Sequence, residues 1–429
     1  MTSIAYSFLL SIIFLSISCD SARSGLQLPS MVKDDRPVVN MGLVIVGGSR
    51  LRNYKLVIQQ ELDGEYNAKN DDGSWKQHFR LDTVVTSLAD LAMPIESLGI
   101  LCQQLIPKKV SLIFILHPWE QYGASSAAVQ YLIHMASFTG IPILGWNADN
   151  SGILVNHDYR KYRYLEMAPP ITHQIDAMIN ILKRYQWHRF TIITTTIAGS
   201  KNFIQELRNR ELESQHQRPR YHLEIVDVLT IKDNLREMTE LHAVDINEAD
   251  IIFQSAAKVG LTDPKYLWIV TQAVVAIAKE VKRSFPVGMI GVHYHTTSNH
   301  FDEDNAVKQQ IRNGLKAFSQ ALGIIVGKYG TSIDLNSTSS CTSNYDYFWD
   351  NGSLIYEALK STSVTAHMVN PYDEEPFVLE FNDKGNLKNP LLHILNMDKD
   401  KTWAKVCGFL YLSFPSDNSF SFVNGYTKF

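Results

Sequence analysis

His293-Tyr294-His295 places two imidazoles on one side of an extended chain, and His300, Asp302 and Glu303 follow closely. Alternate residues of a strand share a face, so this spacing can hold zinc or copper. It equally suits a histidine-bearing loop at a strand end. Asn147-Ala148-Asp149-Asn150-Ser151 follows an apolar run that ends at Trp146. Small polar residues at a carboxyl strand end are where open α/β sheets take ligands. Gly47-Gly48-Ser49 closes the first apolar run, but neither GxGxxG nor GxxxxGK[ST] spacing follows, which favours a tight turn over a phosphate cradle. His117-Pro118-Trp119 ends another apolar run and reads as a packed aromatic cap or a cleft wall. GxSxG, HExxH, CxxC and kinase-type sets are absent, and the scattered acids and histidines select no reaction. Catalysis is not expected, and no cofactor is expected beyond a metal such as zinc at these histidines.

The elements that would position these residues follow from hydrophobic period. After Pro169-Pro170, residues Ile171, Ile175, Met178, Leu182 and Tyr185 recur at steps of four and three, one apolar face of a helix. The β-branched run 190–196 suits a buried parallel strand, and 200–208 restores helical spacing. This helix-strand-helix unit starts after a complete strand-helix series, so it reads as the opening of a second lobe. In the first series, strands fall at 41–46, 110–116 and 141–146. Helical spacing covers 88–105 and the stretch with Val129, Leu132, Ile133 and Ala136. Such alternation needs right-handed crossovers and a parallel sheet. The charged stretch 63–77 reads as a loop, and 208–220 as a solvated helix end or loop. Further on, strands are expected at 223–229, 266–270 and 287–293, and helices at 248–257, 305–329 and 348–361, with a polar loop over 331–344. Asp383-Lys384-Gly385-Asn386 signals a hairpin between 377–381 and 391–395.

A chain of 429 residues with 45% apolar content holds about two or three domains with substantial cores. Its formal charge of -4, from 40 basic and 44 acidic side chains, argues against nucleic acid as a partner. Residues 5–17 are almost unbroken apolar sequence ending in small residues, which reads as a cleaved secretory signal over 1–18, with an N-terminal anchor as the alternative. Residues 23–40 form a polar linker. Four cysteines occur, and Cys19 lies beside the cleavage point, leaving Cys102, Cys341 and Cys407. Acceptor tripeptides for N-glycosylation stand at Asn336 and Asn351.

Several strings carry a resemblance. They are Pro142-Ile143-Leu144-Gly145, Ala168-Pro169-Pro170-Ile171 with Gln174, Tyr185-Gln186-Trp187, Val259-Gly260-Leu261-Thr262 with Trp268-Ile269-Val270, and Phe285-Pro286-Val287-Gly288. In order and spacing the chain resembles, from about 40 to 406, the amino-terminal domain of NMDA-type ionotropic glutamate receptors, glutamate-binding (type 2) subunit class. That resemblance implies an α/β bilobed clamshell of two open, mostly parallel sheets flanked by helices, the type I periplasmic-binding-protein fold. Lobe 1 would comprise 41–165 with part of 290–345, and lobe 2 166–289 with part of 346–400. The resemblance further implies a Cys102–Cys341 disulfide and an interlobe cleft lined by Asn147, Asp149, Ser151, Thr195, Thr196, Glu248 and Gln272. Glu248 matches an acidic position of the family's zinc and inhibitor region. The family's zinc-binding histidine is replaced by Asn147, and a second acidic position by Ile277, neither a good zinc ligand. The implied function is an extracellular regulatory and assembly domain that pairs through lobe 1 with a glycine-binding subunit, takes a small modulator in the cleft, and meets the membrane only through a longer form or a partner. The alternative is an amino-acid-like ligand-binding protein or ectodomain of the same fold. Residues 407–429 depart from the family, which reads as a truncated or alternatively ended product, either secreted or an incomplete gene model, with Cys407 lacking an evident intrachain partner.

Overall fold

The computed structural model describes residues 35–47, 51–67, 75–89, 92–118, 125–148, 162–195, 199–216, 222–231, 248–275, 284–294, 303–341, 348–365, 378–388, 390–410 and 421–423. Contacts along the chain separate Met1–Arg36 from Pro37–Phe429, and the elements below belong to the second unit. The expected signal over 1–18 lies outside the described residues, as do Asp149, Ser151, Thr196, His295 and the side chain of Glu248.

The first sheet contains β1 (Val38–Val46), β2 (Arg80–Leu88), β3 (Val110–His117), β4 (Ile143–Asn147) and β5 (Tyr164–Glu166). Its order is β2-β1-β3-β4-β5, and all four pairings are parallel. The sequence of β3, VSLIFILH, is buried at every position, as a central strand covered on both faces must be. Its connections are α1 (Leu51–Glu61), α2 (Pro94–Gly99) and α3 (Ser125–Ser137). The structure corrects three expectations here. The linker expected to reach residue 40 ends earlier, because Val38–Asn40 already pair with β2. The helix expected over 88–105 starts only at Pro94 and continues as a π-helical turn over Ile100–Leu105, while Leu88 closes β2. Proline favours a helix's first position, which sets that start. The loop expected over 63–77 contains a π-helical turn at Leu62–Tyr66 and a 3-10 turn at Trp75–Gln77, pinned by buried Leu62, Tyr66 and Trp75.

Next come α4 (Ile171–Arg184), β6 (Arg189–Thr195), α5 (Ser200–His216) and β7 (Glu224–Ile231). The α4 stripe buries Ile175, Met178, Ile179 and Leu182, as its period dictates. β6 and β7 pair in parallel, and α5 runs past Arg208 through much of the charged stretch. Arg210 of α5 clamps Asp176 of α4 with two hydrogen bonds, 2.8 Å from Nε and 3.2 Å from Nη2, and also meets Glu213 at 2.9 Å. Burial pushes the Asp176 carboxyl up in spite of Arg210. Such a pair is near break-even as a whole but costly to halve. Arg210→Met alone is expected to cost about 2 kcal/mol, and adding Asp176→Leu should recover most of it. A denaturant-melt double-mutant cycle checks this, and additive losses would contradict it.

The remaining elements are α6 (Glu248–Lys258), β8 (Ile269–Val270), α7 (Gln272–Val275), β9 (Ile290–Tyr294), α8 (Glu303–Tyr329), α9 (Gly352–Lys360), β10 (Ser363–Thr365), β11 (Val378–Glu380), β12 (Leu391–Met397), β13 (Trp403–Leu410) and β14 (Ser421–Val423). Five of these strands form a second sheet, β14-β13-β12-β9-β8, parallel at β8–β9 and antiparallel elsewhere. It is separate from the first sheet. The expected hairpin is only local: Phe381 bridges Leu387, but β11 pairs with β10, and β12 pairs with β9 and β13. Cys407, expected in a divergent tail, lies within β13 opposite Ile394. The long α8 returns to the first sheet, where Gly314 leaves room for the Phe114 ring of β3. The whole is a mixed α/β fold of sheets flanked by helices, in which the first sheet and the β6–β7 pair are parallel and the second sheet is parallel only at β8–β9.

Candidate functional site

The carboxyl ends of β3, β4 and β5 bring together His117, Asn147 and Glu166, all buried. This is the edge at which a parallel sheet offers a ligand site. The His117 Nδ1 and Asn147 Oδ1 atoms lie 3.1 Å apart, which suits a proton on Nδ1. Glu166 Oε1 accepts the backbone N–H groups of Asn147, at 3.2 Å, and Ala168, at 3.1 Å. The Tyr164 hydroxyl donates to Glu166 Oε2. That tyrosine fits beside β4 because residue 145 is glycine; a Cβ there would overlap the phenol. Burial pushes the Glu166 carboxyl up to about 7, against the opposing pull of these three donors. The result is a small, buried polar cluster of mutually hydrogen-bonded groups.

The other expected cleft residues stand on different elements. Thr195 is buried at the carboxyl end of β6. Gln272, buried at the start of α7, donates its backbone N–H to Gln174 Oε1 of α4 at 3.1 Å. That bond fixes the Gln174 amide, so the α4 and α7 starts are held together. Glu248 opens α6. Sequence reasoning missed Glu166 and Tyr164; the signal was an acid inside the otherwise apolar run Leu165-Glu166-Met167-Ala168.

His293 lies on β9 and is buried. Its neighbour in the antiparallel register is His393 of β12, also buried. Directly opposed residues of an antiparallel pair share a face, so among the described residues the imidazole facing His293 across the sheet is one that sequence spacing did not suggest. Among the described residues, no group of three or more His, Cys, Asp and Glu side chains is arranged to hold a metal ion.

At the opposite edge of the first sheet, Cys102 and Cys341 are joined by a disulfide with Cα atoms 5.7 Å apart. The loop bearing Cys341 is stitched there: Ser111 Oγ donates to Leu335 O, and Ser339 Oγ to Thr139 O at 2.7 Å. Among the described residues, no helix is long and apolar enough to cross a membrane.

Residues 96–400 match the family model described as the receptor family ligand binding region. The chain belongs to this family. It is similar to glutamate receptor ionotropic, NMDA 2C, of Homo sapiens, 24% identical over 188 residues that make up 41% of this chain and 15% of that protein. It is also similar to glutamate [NMDA] receptor subunit 1 of Drosophila virilis and of Drosophila grimshawi, each 19% identical over 289 residues, 63% of this chain and 27% of theirs. The chain thus spans about a quarter or less of the length of these relatives, and its likeness is to a glutamate-receptor-like amino-terminal domain. Relatives of both subunit kinds, 1 and 2C, share in it.

Proposed function

We propose that this receptor ligand-binding region is the extracellular regulatory and subunit-assembly domain of an NMDA-type glutamate-gated cation channel, of the glutamate-binding subunit class. It acts by binding and not by catalysis. The observation that carries the reading is the family match over 96–400 together with likeness to NMDA receptor subunits in two animal groups. The first-sheet helices supply a surface suited to assembly: Leu56 of α1 and Met93 and Ile95 at the start of α2 are large apolar side chains left exposed. A glycine-binding subunit is the proposed partner at this lobe, and closure of the lobes around a small modulator would bias a distant gate by its differential affinity for the two states. Co-expression with a tagged glycine-binding NMDA subunit should recover this chain on affinity purification, and Leu56→Glu with Ile95→Glu should weaken recovery at least tenfold. Failure to co-purify would sink the assembly reading.

A second reading, binding of a small amino-acid-like ligand, is favoured by the buried hydrogen-bonding edge around Asn147. Isothermal titration with a panel of amino acids separates the two, since ligand uptake by the isolated chain supports the second alone. The same instrument addresses zinc. With Asn147 and Ile277 at the family's ligand positions, high-affinity zinc binding there is not proposed; His293, with His295, is the remaining candidate, and absence of micromolar uptake would end it. The secretory reading predicts glycans at Asn336 and Asn351. Asn351 is exposed at the head of α9. Endoglycosidase treatment of the secreted chain should therefore lower its mass in two steps, each removed by the matching Asn→Gln change.

A further inference from the structure

We propose that Glu166 is a proton-operated tie between the end of the first sheet and the approach to α4, neutral in one state and anionic in the other, which makes this passage sensitive to pH. The geometry carries it. Glu166 closes β5, and its carboxyl holds three donors at once: Asn147 N–H on β4, Ala168 N–H just before Pro169-Pro170, and the Tyr164 hydroxyl. Its own backbone N–H donates to Gly385 O at 2.8 Å, which adds the turn at 382–386 to the same knot. Among the described residues every partner of the carboxyl is a neutral donor, so an anion there is held by these dipoles.

Among the described residues, the titratable and charged groups around it stand on its own strand and on neighbouring elements. On its own strand stands Tyr164; behind Asn147 stands His117 of β3; in the 382–386 turn Asp383 and Lys384 are exposed; and from α9 the Tyr356 hydroxyl approaches Gly385. Burial is the leading cause that lifts the carboxyl to about 7, and the three donors only partly oppose it. The neutral acid keeps both backbone N–H bonds on Oε1 and reverses its bond with Tyr164, whose oxygen then accepts. The anion accepts all three. One proton therefore changes the direction of a buried hydrogen bond at the point where the chain leaves the first sheet.

A carboxyl whose folded pKa lies above its unfolded value holds its proton more tightly when folded. The stability it confers is complete below about 4.5, declines as pH rises, and is lost above about 7. Glu166→Gln keeps the shape and bonding of the neutral acid without the proton. In urea melts of the full chain, the folding constant of the wild type relative to this variant should fall on the order of 100-fold between pH 5 and 8. Tyr164→Phe removes a donor to the anion, so the midpoint of the pH dependence should move upward by at least half a pH unit. A ratio that changes less than about threefold across this range, or a Tyr164→Phe midpoint that does not move, would overturn the proposal.

Discussion

Replacing Cys102 and Cys341 together by serine is expected to lower the unfolding free energy by about 2–5 kcal/mol and the melting midpoint by roughly 2–6 °C. The bond joins residues 239 apart in sequence, so reduction restores a very large loop to the unfolded chain. Loop-closure entropy alone would set the effect near 5 kcal/mol, and structure remaining in the unfolded chain reduces it. The loop around Cys341 keeps the Ser111 and Ser339 hydrogen bonds after reduction, so loosening should be confined to the 331–341 stretch and the Ile100–Leu105 turn. Calorimetry of oxidised, reduced and double-serine protein measures it. Equal midpoints for all three would show that the bond adds nothing.

Gly140→Ala is expected to destabilise the fold by about 3 kcal/mol or more, through strain and collision together. Gly140 has φ +73, a left-handed conformation that an L side chain resists. A Cβ there would stand 2.6 Å from Trp349 O and 2.7 Å from Trp349 N, and backbone cannot step aside as a flexible side chain can. The contact is tight because the chain before β4 and the chain before α9 are bonded face to face. Trp349 N–H donates to Thr139 O at 2.8 Å, and Arg163 Nη1 donates to both Gly140 O and Trp349 O, at 2.6 and 2.8 Å. Arg163 also stacks on the Phe348 ring at 4.6 Å. Gly288 provides the control: its φ is +86, but its Cβ would meet nothing within 4 Å, so Gly288→Ala should cost only about 1 kcal/mol. Urea midpoints of the two variants decide the matter, and equal losses would show that collision at Gly140 contributes little.

What sequence reasoning saw and missed follows burial. β3 was legible because a strand covered on both faces is a continuous apolar run. α4 was legible because its stripe is fixed by the helical period. β2 escaped because its Arg80, Asp82, Thr83 and Thr86 dilute the apolar signal, and β5 because three residues are too few to show a period. The turn at Asp383-Lys384-Gly385-Asn386 was read from local chemistry and does form, with Asn382 N–H bonded to Asn386 O at 2.8 Å. The partner of β12 was misread because the choice between β11 and β9 is made by distant packing and not by the turn.

The candidate site divides in the same way. Asn147 was found because a polar residue after a buried strand marks a strand end, Gln174 lay in a string shared with a receptor family, and Gln272 was named only as a cleft residue that the resemblance implies. Glu166, Tyr164 and His393 were not found. Each matters through a neighbour supplied by a chain crossing or by strand register, and a linear pattern does not encode that distance.

By itself the sequence determined the strongly periodic elements, such as β3 and α4, and the likeness to a receptor family, because period, turn chemistry and family strings are local properties of the chain. Only the tertiary structure decided that a carboxyl sits buried among three donors at the end of β5 and that two histidines a hundred residues apart stand side by side. Those facts depend on which strands lie adjacent, and adjacency is set by the packing of the whole core.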